Sequence, residues 1–210
     1  MILLDSANLD DIARARALGF VRGVTTNPTL MRKETDDPRR HLERIAAAVE
    51  PLELFYQPTG AYGSLADEAD AVFRLDRRIV LKLPATPDGV ALAGAMVSRG
   101  AAVALTAVQS PPAMIVAEAI GCTAVIPYVD RAQRDIRTDP QLVSALARLR
   151  RRRDTRIVAA SVKSVGQFVT AFLDGADAVT APLAVLESLL SHPAALEAER
   201  QFAAEYRPKA

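Results

Sequence analysis

Short apolar runs, each followed by an amphipathic stretch at helical spacing, recur along the whole chain. Runs at 1–4, 21–25, 52–56, 79–83, 102–105, 123–126, 156–160 and 176–179 have the length of strands buried on both faces. Segments at 9–18, 38–49, 64–75, 87–98, 111–120, 139–152, 164–173 and 182–190 carry their apolar residues on one helical face. Pro87, Pro111 and Pro182 stand at or near helix starts, and Ser64 and Ser164 are N-cap candidates. Gly19, Gly100, Gly121 and Gly175 follow the last apolar position of a helix, where a chain commonly turns out of it. One more helix is predicted from Pro193 to about Tyr206. It suits either closing the bottom of a monomer or packing on a neighbouring subunit.

Eight strand–helix units in 210 residues leave roughly 26 residues per unit, near the lower limit for an eight-stranded barrel. No linker or composition shift divides the chain, so the expectation is an α/β protein, one (β/α)8 TIM barrel domain over 1–210 with an added C-terminal helix at about 193–206. The competing architecture, an open doubly wound sheet, usually carries a glycine-rich phosphate turn after its first strand. Asp5-Ser6-Ala7-Asn8 is not one.

Composition narrows the function classes. With 26 basic and 25 acidic residues the net charge is +1, which gives no chain-wide attraction for nucleic acid or an acidic membrane. Arg150-Arg151-Arg152-Arg153 is expected to end a helix, where cations meet the helix dipole, and it lacks the aromatics of a nucleic-acid patch. No basic segment precedes a long apolar run, and uncharged stretches such as 100–117 are broken by polar residues and the Pro111-Pro112 pair. A soluble, cytoplasmic protein is therefore expected. Cys122 is the single cysteine and reads as a small core residue. With only His41 and His192 besides, no ligand spacing for a metal is present, and neither a metal nor another cofactor is expected.

In barrels of this kind chemistry sits where strands end. That position reads Asp5, Thr25-Thr26-Asn27, Gln57, Lys82, Thr106, Tyr128, Ser161 and Thr180 from strand to strand. Lys82 stands out, because Ile79-Val80-Leu81-Lys82-Leu83-Pro84 places an amine in a buried strand. Only four of the 26 basic residues are lysines, so an amine there invites a reason that a guanidinium cannot supply. Desolvation lowers a lysine pKa and makes the neutral nucleophile accessible, as Schiff-base chemistry on a ketone requires. The bland alternative is an ion pair with Asp5. Asp5 itself suits proton transfer to and from a substrate hydroxyl, or the N-cap of the helix near Leu9, a task Asn8 shares. A carboxylate beside Lys82 opposes desolvation, and sequence leaves the balance open.

Leu4-Asp5-Ser6-Ala7-Asn8, Gly23-Val24-Thr25-Thr26-Asn27-Pro28, Leu81-Lys82-Leu83-Pro84, Pro127-Tyr128-Val129-Asp130-Arg131 and Ala159-Ala160-Ser161-Val162-Lys163 together resemble the landmarks of the small transaldolase and fructose-6-phosphate aldolase family. The resemblance implies a barrel whose Lys82 forms a Schiff base, with Asp5 in proton transfer. It implies that Asn27 holds donor hydroxyls, that Thr25 is substrate-binding, and that Arg131, Ser161 and Lys163 bind phosphate. The segment from Ser161 to Ser164 leads into a helix N-terminus whose free N–H groups attract anions. Gln57, Tyr128 and Thr106 look like the aldolase branch, since transaldolases carry glutamate and phenylalanine at the first two positions. The implied reaction is that of a class I aldolase joining a dihydroxyacetone-like ketone to a glyceraldehyde 3-phosphate-like aldehyde. A transaldolase is the same-class alternative, and the implied assembly is a homo-oligomer, a pentamer or decamer.

Asp130 departs from the pattern, where relatives usually carry Asn or Gly. A carboxylate there is expected to pair with Arg131 and repel phosphate, which motivates a third reading, a non-catalytic sugar-phosphate-binding barrel. The stretch after it, and the loop from Pro58 to Gly63, also depart. Lys33 and Lys209 are expected in a solvated loop and a terminal tail.

Overall fold

The computed structural model describes residues 1–60 and 63–206; Ala61 and Tyr62 of the loop after Gln57, and Lys209, lie outside them. Eight parallel strands, β1 (Ile2–Asp5), β2 (Gly23–Thr25), β3 (Glu53–Tyr56), β4 (Val80–Pro84), β5 (Val103–Val108), β6 (Ala124–Pro127), β7 (Arg156–Ala159) and β8 (Ala178–Ala181), pair in chain order. β8 returns to β1 through Ile2–Val179, Leu3–Thr180 and Leu4–Ala181, which closes the barrel. The expected (β/α)8 fold is therefore the observed one.

The surrounding helices are α1 (Leu9–Ala17), α2 (Pro28–Glu34), α3 (Pro38–Val49), α4 (Leu65–Leu75), α5 (Pro87–Ser98), α6 (Ala113–Ile120), α7 (Val129–Arg134), α8 (Leu142–Leu149), α9 (Val165–Leu173), α10 (Leu183–Ser188) and α11 (Pro193–Glu205). Helices that pack on the barrel bury a single stripe: His41, Leu42, Ile45 and Val49 on α3, and Leu142, Val143 and Leu146 on α8. Local chemistry sets the starts. Ser64 and Asp67 form a reciprocal capping box on α4, and Ser164 accepts from Gln167 N on α9, as the sequence predicts. The helix near Leu9 is capped by Asn8, which accepts from Asp10 N and Asp11 N; Asp5 is left for other work.

Three expectations need correction. A short helix, α2, fills residues taken as loop, because Asn27 caps it and Pro28 opens it. A second, α7, follows β6 directly. α8 ends at Leu149, so the four-arginine run lies beyond the helix. There Arg150 pairs with Asp177, Arg152 with Asp154, and Glu118 accepts from Arg151 N and Arg152 N.

The interior follows from the two-residue period of a strand. Leu3, Phe55, Val80, Ala104, Ala124, Ile126, Val158 and Ala178 fill the lumen as one apolar cluster. Gly23 stands where a Cβ would lie 2.7 Å from Leu3 Cδ2 and 2.8 Å from the Glu53 carbonyl oxygen, so no side chain fits there. Two residues further along each strand the same inward face carries Asp5, Thr25, Gln57, Lys82, Thr106, Tyr128 and Thr180. The polar layer is thus stacked on an apolar plug.

No residue of α11 is buried, and Phe202 and Tyr206 are exposed, so this helix seals nothing on the barrel. No helix among the described residues is long and apolar enough to cross a membrane.

Candidate active site

At the C-terminal ends of the strands a cavity of about 470 Å³ opens, lined among others by Asp5, Asn27, Gln57, Lys82, Tyr128, Arg131, Ser161 and Lys163. This volume lies within the range of small-molecule sites. Eight of the ten residues singled out from sequence thus share one cleft. Thr25 and Thr106 sit deeper, each with no exposure, behind the lining rather than in it. The chain brings these residues together from almost its full length because a closed ring makes neighbours of distant strands.

Lys82 is 3% exposed, and its Nζ donates to the Thr26 carbonyl at 2.5 Å. Burial pushes its pKa down from 10.5 to about 8, against the smaller opposing pull of the Asp5 charge. Desolvation wins the contest that sequence left open. No Lys82–Asp5 salt bridge forms among the described residues, so an ion pair does not account for the lysine. One N–H is held by Thr26, and the neutral amine keeps its lone pair for an electrophile.

Asp5 is fixed from the side. Thr25 Oγ1 donates to Asp5 Oδ1 at 2.9 Å and lies 2.7 Å from Thr180 Oγ1. A hydroxyl has one hydrogen, so Thr180 must donate to Thr25 for Thr25 to donate to Asp5. Thr25 therefore holds the carboxylate from behind the cleft lining.

On the far side, Tyr128 Oη lies 3.4 Å from Thr106 Oγ1. Gln57 lines the cleft, yet its Oε1 is buried without a hydrogen-bond partner among the described residues. Such an acceptor is costly unless something in the cleft donates to it. Asn27 accepts from Leu30 N at 3.0 Å as a helix cap, which engages its carboxamide oxygen, and Asn27 lines the cleft.

The acidic neighbour of Arg131 does not behave as expected. Asp130 is buried and takes Arg134 at 3.1 Å and Gln167 Nε2 at 3.2 Å, one helical turn away and on α9. Successive residues on a helix point about 100° apart, so Arg131 faces elsewhere. Its guanidinium lies 4.8 Å over the Tyr128 ring and makes no salt bridge among the described residues. The expected Asp130–Arg131 pair is therefore not formed among the described residues. The α9 start offers less than expected. Ser164 Oγ accepts from Gln167 N, and Gln167 Oε1 accepts from Lys163 N at 2.7 Å. Anion attraction falls to the Arg131 and Lys163 side chains.

Lys33, expected on a solvated loop, also lines the cleft from α2. With Arg131 and Lys163 it gives a lining in which positive charge outweighs the single acidic residue, Asp5, which favours anionic ligands. Two non-glycine residues at the rim have left-handed backbones, Ala107 at φ 55° and Ser161 at φ 60°, and both line the cavity. Ala107 sits where the β5–β6 register shifts between Leu105 and Val108. Such strained positions concentrate at functional sites.

A family model described as transaldolase/fructose-6-phosphate aldolase matches residues 2–209. The chain belongs to the transaldolase/fructose-6-phosphate aldolase family. Three relatives of this family are each named a probable transaldolase. The protein of Desulfatibacillum aliphaticivorans is 32% identical over 206 residues, covering 97% of this chain and 96% of the relative. That of Symbiobacterium thermophilum is 34% identical over 196 residues, covering 91% and 90%. That of Nitrosopumilus maritimus is 32% identical over 196 residues, covering 91% and 88%. Membership in the transaldolase/fructose-6-phosphate aldolase family supports an enzyme with activity of the aldolase or transaldolase type.

Proposed function

We propose that the protein is a class I aldolase of the fructose-6-phosphate aldolase type, acting on a hydroxyketone donor and a phosphorylated aldehyde acceptor. The observation that carries this reading is a buried amine, with its pKa lowered to about 8, at the floor of an open cationic cleft. Lys82 Nζ adds to the donor carbonyl, and loss of water leaves an iminium. The iminium draws electrons from the neighbouring carbon, which gives up a proton and becomes the nucleophilic end of an enamine. That carbon forms the new bond to the aldehyde, whose oxygen takes a proton. Water then releases the product and restores the amine.

Tyr128 with Thr106 is suited to carry the proton, and Gln57 Oε1 to accept from a water or hydroxyl. Asp5 and Asn27 suit the donor hydroxyls. Arg131 and Lys163 suit the acceptor phosphate, with Ser161 beside them.

Incubation with dihydroxyacetone followed by borohydride should attach the reduced donor to the peptide that contains Lys82. An unmodified chain, or a label on another lysine, overturns the assignment. Arg131→Ala should raise KM for a phosphorylated aldehyde by about tenfold or more, the worth of a charge-assisted hydrogen bond, and leave an unphosphorylated analogue nearly unchanged. Equal losses on both acceptors would remove Arg131 from phosphate recognition.

The relatives named probable transaldolases favour a second reading, transfer of the dihydroxyacetone unit between sugar phosphates. Gln57 and Tyr128 favour the aldolase. With fructose 6-phosphate alone, release of free dihydroxyacetone identifies the aldolase; release only when an aldose phosphate is added identifies the transaldolase.

A further inference from the structure

Glu68 lies on α4, outside the cleft, and the chemistry above makes no use of it. It is only 2% exposed, in a sequence stretch (Asp67-Glu68-Ala69-Asp70) that otherwise reads as a solvated acidic face. Neutral donors converge on its carboxylate. Tyr56 Oη donates to Oε1 at 2.6 Å, Thr59 N and Gly60 N donate to Oε2 at 2.9 and 2.7 Å, and Thr59 Oγ1 lies 3.2 and 3.1 Å from the two oxygens.

The identity of these donors matters more than their number. Tyr56 ends β3 immediately before Gln57, and Thr59 and Gly60 follow it. Strand alternation sends Tyr56 outward to α4 and Gln57 inward to the cleft. Glu68 therefore grips the chain on both sides of Gln57 from behind the barrel wall. On the cleft side Gln57 Oε1 has no hydrogen-bond partner among the described residues, so no bond at that oxygen fixes its aim from within the cleft.

We infer that Glu68 is a positioning residue whose buried carboxylate, by binding Tyr56 and the Thr59–Gly60 backbone, sets where the Gln57 carboxamide stands in the Lys82 cleft. What Gln57 does there rests on the aldolase reading; the grip does not. A carboxylate is needed because both oxygens accept. A glutamine would turn an NH2 toward one set of donors.

The test is a double-mutant cycle on the full chain, with Glu68→Gln in the wild-type and Gln57→Ala backgrounds. In the wild-type background kcat should fall roughly tenfold or more, as for loss of a charged hydrogen bond, with KM within about twofold. In the Gln57→Ala background the same change should alter kcat by less than about twofold, because the group being positioned is gone. Equal losses in both backgrounds would mark general loosening and overturn the inference, as would an unchanged kcat in the first. Tyr56→Phe removes one of the donors and should show the same pattern at smaller scale, including where Glu68→Gln fails to fold.

If the wild type neither turns over nor forms a borohydride adduct, the aldolase reading fails. The grip is then read from the Gln57 side-chain amide resonance. A shifted resonance in either variant, with the remaining spectrum retained, supports it; an unmoved one overturns it.

Discussion

Lys82→Met should abolish the borohydride adduct and reduce turnover to background while leaving the protein folded. Methionine keeps the length of the stem and the apolar contacts but supplies no amine. The more diagnostic part is the dependence of its stability on pH. In the folded wild type the lysine releases its proton at about 8, and in the unfolded chain near 10.5. Below about pH 8 both states hold the proton, and the folded state bears the full cost of a buried ammonium. Between the two values the unfolded chain binds more protons, so wild-type stability rises with pH by about 3 kcal/mol across the window. Methionine has no such slope. Urea titrations should therefore find the variant holding its own at neutral pH, offset only by the orphaned Thr26 carbonyl. It should lose ground to the wild type by about that amount as the pH approaches about 10.5. Parallel pH profiles for the two proteins would mean that Lys82 is not buried as an amine.

Asp5→Asn should separate two effects that one carboxylate combines. Its charge raises the Lys82 pKa against desolvation, so removing it should move the amine below about 8. The acidic limb of kcat/KM against pH, set by the amine losing its proton, then shifts to lower pH, and trapping with borohydride near neutrality becomes faster. Turnover nevertheless should fall by about 10²–10⁴-fold, the usual worth of a positioned acid–base group. Asparagine still accepts from Thr25, so the geometry is kept. Faster trapping with slower turnover is the signature. A variant that loses both together, or whose pH limb stays in place, would deny Asp5 either its electrostatic or its proton-transfer part.

Much of this site was legible in the chain because the fold is periodic. An inward position in a parallel strand is normally aliphatic, so Lys82 declared itself against Val80 two residues earlier, and Asp5 against Leu3. What failed was whatever depends on a third dimension the pattern does not carry. The motif around Thr25 does not show that β1 closing on β8 sets Thr180 against it, nor that Thr25 bonds Asp5. Asp130 looked like a partner for Arg131 by adjacency in sequence, although the helical spacing to Arg134 was there to read once a helix is placed over it. Asn27-Pro28 likewise carried the capping signature that would have brought Lys33 to the rim. Glu68 had no such sign: an acidic residue in an acidic turn does not show that three main-chain and side-chain neighbours of Gln57 will close around it. Nor do Ala107 and Ser161 reveal their left-handed backbones, since neither is a residue type that favours them.

The ring of strands has a consequence for what counts as the unit of function. Asp5 and Thr180 stand at opposite ends of the chain and in one hydrogen-bonded series, joined only where β8 meets β1. Lys82 enters the same cleft as Asp5 from the middle of the sequence. No fragment that lacks β1, β4 or β8 holds this set of residues together. The residues of the cleft become neighbours only when the ring of strands is closed.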